Sequence, residues 1–113
     1  MKKFMALYTG SASPDGKPRV ISDADRAAGM TAWGEWMQKH SARIVDTGGP
    51  LGTTKRVGPD GITDIRNNVA AYVIVEAETH DEAARMFEGH PHFTIFPGDS
   101  VEIMECRPLP GAG

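Results

Sequence analysis

Residues 79–91, THDEAARMFEGHP, constrain the fold more than any other stretch of this chain. Thr79 and Glu82 have the T-x-x-E spacing of a capping box, which satisfies free backbone N–H groups at a helix start. Ala83, Met86 and Phe87 follow at helical spacing, and Gly89 is placed to close the helix in the left-handed conformation. His90-Pro91-His92 comes next, and the proline is expected to hold that segment extended. A run of mostly β-branched and small residues, 69–77, precedes the cap, and a second strand-like run, 100–106, follows the loop. Strand, short helix, polar loop and strand make the second half of a small α+β sandwich.

The first half reads similarly. Residues 3–9, KFMALYT, form a strand that is apolar on both faces. Residues 11–25 are rich in Ser, Pro, Asp and Gly and read as a long loop, expected to be mobile and to rim a cleft. Ser22 or Asp23 can cap a helix over residues 24–41, with Met30, Trp33, Met37 and His40 on its apolar stripe and Trp36 beside it. Residues 43–47 form a second strand, which Gly48-Gly49-Pro50 is expected to break. Gly58-Pro59-Asp60-Gly61 is a turn signal between extended residues 53–57 and 62–65. The order is β-α-β-β-α-β with an extra hairpin: a ferredoxin-like α+β fold, an antiparallel sheet with both helices on one face. Residues 1–107 read as one domain and 108–113 as a tail.

The opposite face of that sheet is not polar. Phe4, Ala6 and Tyr8 alternate with Met5 and Leu7, and Val69, Ala71, Val73 and Val75 alternate with Tyr72 and Ile74. A sheet with one solvated face should alternate apolar with polar, so the second face needs a cover. No stretch remains to provide one, and a homodimer packed sheet on sheet is the simplest solution.

Composition removes several classes of function. A formal net charge of −3, with basic residues scattered apart from Lys2-Lys3 and Lys55-Arg56, argues against nucleic acid as a partner. No apolar run approaches the roughly 18 residues of a membrane span, and MKKFMALYTG carries no signal-peptide pattern, so the chain reads as cytoplasmic. The single cysteine, Cys106, leaves no internal disulfide and no cysteine-based zinc site; within a strand it reads as a small buried hydrophobe. The glycines at 48, 49 and 52 lack the G-K-[ST] order of a phosphate loop, and residues 60–64 lack calcium-loop spacing. No motif for a metal or an organic cofactor is present.

The architecture, with Lys3-Phe4-Met5, a Trp-containing first helix, Gly48-x-Pro50-Leu51, the DEAA of residues 81–84, His90-Pro91 and the closing strand from Gly98 to Ile103, resembles the YCII-related (DGPF-domain) family along nearly the whole chain. The resemblance implies a dimeric α+β barrel with a cleft between sheet and helices. One enzymatic branch, dehydrochlorinase-like, uses a His in the first helix and an Asp of an Asp-Pro pair after the second. Here those positions fall near Trp33 and on His90-Pro91, and residues 64–68, DIRNN, stand in the region of the DGPF tetrapeptide. The catalytic pair is therefore not carried over. Only the place of the cleft is.

Candidate site residues follow from that place. His90 stands at the helix exit and is the candidate acid/base group, expected to line the same pocket as Trp33 with its ring reaching the cavity. Alternation along an extended segment would bring His92 to the same side. Trp33 could wall a planar ligand. Tyr8 on the first strand and Asp46 near the end of the second complete the candidate contacts, and Arg66 could hold an anion. Two functions remain: a protein that binds a small metabolite in the cleft, with acid/base catalysis as its reaction class, or a non-catalytic dimeric module for sensing or protein contact.

Overall fold

The computed structural model describes residues 1–10 and 20–111. The chain runs β1 (Lys2–Thr9), α1 (Asp23–Lys39), a 3-10 turn (Ser41–Arg43), β2 (Ile44–Pro50), β3 (Thr54–Gly58), β4 (Gly61–Ile65), β5 (Val69–Ala77), α2 (His80–Arg85), α3 (Pro91–Thr94) and β6 (Ser100–Cys106). The main sheet has the order β2-β5-β1-β6, with every neighbouring pair antiparallel. Once the hairpin is set aside, this is the ferredoxin-like βαββαβ order. The hairpin β3–β4 stands as a separate two-stranded sheet, with Val57 and Ile62 largely exposed.

Helix α1 starts where a polar side chain can take up its free amides: the Ser22 hydroxyl accepts from the Asp25 N–H at 3.0 Å. The loop expected over residues 11–25 lies outside the described residues at 11–19; its last residues already belong to α1. Trp36 and Gly29 are the buried residues of α1, and Trp33 and Met37 pack partly into the core. Met30, expected on the inner stripe, is 64% exposed. The stripe is centred on Gly29, Trp33 and Trp36, because the Trp36 indole is anchored by donating to the buried Met86 carbonyl at 2.7 Å.

The helices pack on one face of the sheet. Phe4, Ala6 and Tyr8 of β1 and Val73, Val75 and Ala77 of β5 meet Trp36, Ala83, Met86 and Phe87 in one core. The strand register sets the other face. Met5 pairs with Ile74 on one side and Met104 on the other, and Leu7 pairs with Tyr72 and Glu102. These residues form an open band that no element among the described residues covers. Cys106, expected to be buried, is exposed: it ends the edge strand β6, opposite Lys3 on this open face.

Two local expectations are corrected. Gly48-Gly49-Pro50 does not break β2; it bulges the strand, which pairs on to Pro50↔Ala71. Gly48 has φ +62°, and a Cβ there would fall 1.9 Å from the Tyr72 carbonyl oxygen, so the bulge requires glycine. The HPH segment is also not extended. Pro91 is the first residue of the single-turn helix α3, where its fixed φ suits the helix and its missing N–H is no loss. Among the described residues no helix is long and apolar enough to cross a membrane.

Candidate functional site

The cap that starts α3 decides what His90 can do. His90 is its N-cap, and Nδ1 accepts the backbone N–H of His92 at 3.0 Å. The ring is fully buried among aromatic rings, with centroids 4.5 Å from Trp33, 4.7 Å from Trp36, 5.0 Å from Tyr8 and 5.9 Å from Phe87. Burial, then the nearby His92 and His40 rings, hold its pKa down to about 4. At neutral pH the ring is uncharged. Because Nδ1 accepts a backbone amide, the one ring proton sits on Nε2, which lies 3.2 Å from the Tyr8 hydroxyl. His90 Nε2 therefore donates, and the Tyr8 oxygen accepts.

His92 is built in by a different route. It sits inside α3, and its ring Nε2 lies 2.8 Å from the Thr9 carbonyl, which can only accept. The proton on Nε2 is thereby committed to β1, and among the described residues Nδ1 has no hydrogen-bond partner. A Cβ at residue 98 would stand 2.3 Å from this ring, so only glycine lets the imidazole lie against the loop that leads to β6. Burial holds the Tyr8 phenol well above its ordinary pKa, so it stays protonated.

A cavity of about 630 Å³ opens between the sheet and α1, within the size range of small-molecule sites. Tyr8 and His92 line it, with Trp33 and Met37 from α1, Phe96 from the loop after α3, and Pro50 at the end of β2. Arg26 supplies a positive charge to the lining; among the described residues no carboxylate does. The β2 bulge has a part in this geometry, since Thr47, Gly49 and Pro50 all border the cavity.

The expected site residues thus separate. Trp33, Tyr8 and His92 meet at the cavity. His90, expected to reach the cavity, lies one layer behind it, with no exposed surface, in contact with Tyr8 and Trp33. Asp46 lies outside, exposed, with its carboxylate accepting the Gly48 N–H at 2.9 Å to fix the bulge. The His90 and His92 rings do converge, though not by alternation: a helix cap turns the first inward, and both flank Tyr8, at 5.0 and 5.2 Å. Among the described residues no three His, Cys, Asp or Glu side chains come together as a metal site. Arg26, Phe96 and Gly98 were missed by the sequence reading; Gly98 was noted only as the start of the last strand.

No family model matches the chain, and no curated protein matches it. Among solved structures it is similar to 5-chloro-2-hydroxyhydroquinone dehydrochlorinase (TftG) from Burkholderia phenoliruptrix AC1100, in complex with 2,5-dihydroxybenzoquinone. The likeness covers 93% of each chain, with a TM-score of 0.57 and 19% identity. At that identity it speaks for the fold and not for the chemistry. The α+β fold of this chain, with its antiparallel sheet and one helical face, is the fold of that protein.

Proposed function

We propose that the cavity between the sheet and α1 binds a compact, planar, oxygen-bearing small molecule. The observation that carries this reading is one cavity in which aromatic walls, Trp33 and Phe96, meet the phenol of Tyr8 and the imidazole of His92. Flat apolar walls favour a ring, and a few convergent polar groups fix its orientation. A ligand of the kind bound by the dehydrochlorinase, a ring with oxygens on its rim, matches such a lining. Its face would lie against the Trp33 ring, and its rim oxygens would meet Tyr8, His92 and Arg26. Acid/base chemistry in this site would fall to His92, whose Nδ1 has no hydrogen-bond partner among the described residues.

A binding role without catalysis is favoured by a specific observation. Tyr8 is held as a neutral phenol and His90 as a neutral imidazole, and no described carboxylate lines the cavity. A ligand-binding or sensing protein needs only recognition from these groups. The reading also includes a homodimer through the open band of Met5, Leu7, Tyr72, Ile74 and Met104, as expected for an apolar sheet face.

Calorimetric titration with hydroxylated and carbonyl-bearing benzenoid compounds, 2,5-dihydroxybenzoquinone among them, tests the site. At least one should bind saturably, and Trp33→Ala should weaken it about tenfold or more, as loss of an aromatic wall implies. Binding that is unchanged in Trp33→Ala, or absent throughout the panel, would remove the proposal.

A further inference from the structure

The buried His90–Tyr8 pair decides which ligands the cavity accepts. A phenol hydroxyl has one proton to give and lone pairs that receive. Here the acceptor side is engaged by His90 Nε2, because His90 Nδ1 is already receiving the His92 backbone N–H. Among the described residues no acceptor lies within reach of the Tyr8 hydroxyl proton, and Tyr8 borders the cavity. We infer that His90 is a positioning residue that orients the Tyr8 hydroxyl as a hydrogen-bond donor into the cavity. The site then selects ligands that present an acceptor oxygen, a carbonyl or a phenolate, at that point. The inference rests on the cavity being a small-molecule site, and it adds the polarity of the group that is read there.

The direction of the relay follows from constraints other than the ligand. The backbone N–H of His92 can only donate, so it selects the His90 tautomer. The ring cannot turn over, which would put a carbon in the place of each nitrogen, without leaving that amide unpaired and moving within a cage of Trp33, Trp36 and Phe87. Rotating the Tyr8 proton back toward His90 would set two donors against each other. The oxygen is therefore received on one side and the proton sent to the other.

Two amide variants separate the cap from the relay. In His90→Asn the side-chain oxygen can replace Nδ1 as the cap acceptor, but nothing reaches Tyr8. In His90→Gln the longer amide can place an N–H near the position of Nε2. The probes are acetophenone and α-methylstyrene, which differ only in C=O against C=CH2, titrated by NMR. The native protein should prefer the ketone by about tenfold, near the upper range for one net hydrogen bond. Tyr8→Phe and His90→Asn should bind both probes equally, and His90→Gln should restore the preference.

Equal binding of the probes by the native protein, or a preference that survives in His90→Asn, overturns the inference while leaving a small-molecule site in place. If neither probe binds the native protein, the reading of the cavity fails and the inference with it. Nitrogen-15 spectra of histidine-labelled, ligand-free protein give a test that does not depend on the variants folding. The His90 proton should be on Nε2; a proton on Nδ1 overturns the relay.

Discussion

A histidine with no exposed surface and an amide to cap has to stay neutral, and that makes stability depend on pH. His90 faces Tyr8, Trp33, Trp36 and Phe87, and after burial the His92 and His40 rings disfavour its charged form further. Its pKa is about 4 in the fold against an ordinary 6.5. Between those values the unfolded chain takes up a proton that the folded chain refuses, so stability is lost as pH falls from about 6.5 to about 4. The loss from this residue is on the order of 3 kcal/mol. Urea unfolding of the native protein and His90→Gln at about pH 7 and about pH 4.5 should show a smaller loss in the variant; equal losses would mean that the ring is not held neutral. Gly98→Ala is the sharper structural test. Its new methyl would enter the His92 ring, so it should cost about 1–3 kcal/mol in denaturant unfolding and weaken ligand binding with it.

Among the elements, α2 is held at its start by a single side chain. It has only six residues, and its Thr79 hydroxyl accepts the Glu82 N–H at 3.1 Å. The reciprocal half of the capping box is not formed. The Glu82 carboxylate pairs instead with Arg43, from the turn before β2, and so ties α2 to the first half of the chain. Thr79→Ala should cost about 1 kcal/mol, and Thr79→Ser should recover most of it, read by thermal or urea unfolding. The cap, the positive φ at Gly89 and the strand on either side were legible in sequence because each depends on local chemistry: a hydroxyl, a left-handed residue, a β-branched run. The helix itself stops at Arg85, four residues before the expected Gly89 end. The β2 bulge and the α3 turn were not. Glycine and proline mark an interruption but not its geometry. Whether Gly48 breaks a strand or bulges it depends on the Tyr72 carbonyl across the sheet. Likewise Pro91 fits an extended segment or a helix start equally well, and the choice lies in His90 finding a backbone amide to cap. The direction of the His90 ring follows from that choice, so Trp33 and Tyr8 could be placed at the cleft from their elements alone, and His90 could not.

For the whole molecule, the open sheet face and the cavity make separate claims. The band of Met5, Leu7, Ile74 and Met104 lies on the side of the sheet away from α1 and α2. Sedimentation at micromolar concentration should give a dimer, and Leu7→Asp should shift it to monomer while the helical face keeps its core; a native monomer would rule out this use of the face. The central claim is that the cavity is the ligand site, and a heteronuclear NMR titration with 2,5-dihydroxybenzoquinone tests it most directly. Saturable shifts are expected at the Trp33 indole N–H, at Tyr8, at Ala70 and Ala71, and at Gly98, all of which line the cavity. Spectra that do not change, or shifts confined to the open sheet face or the β3–β4 hairpin, would contradict it.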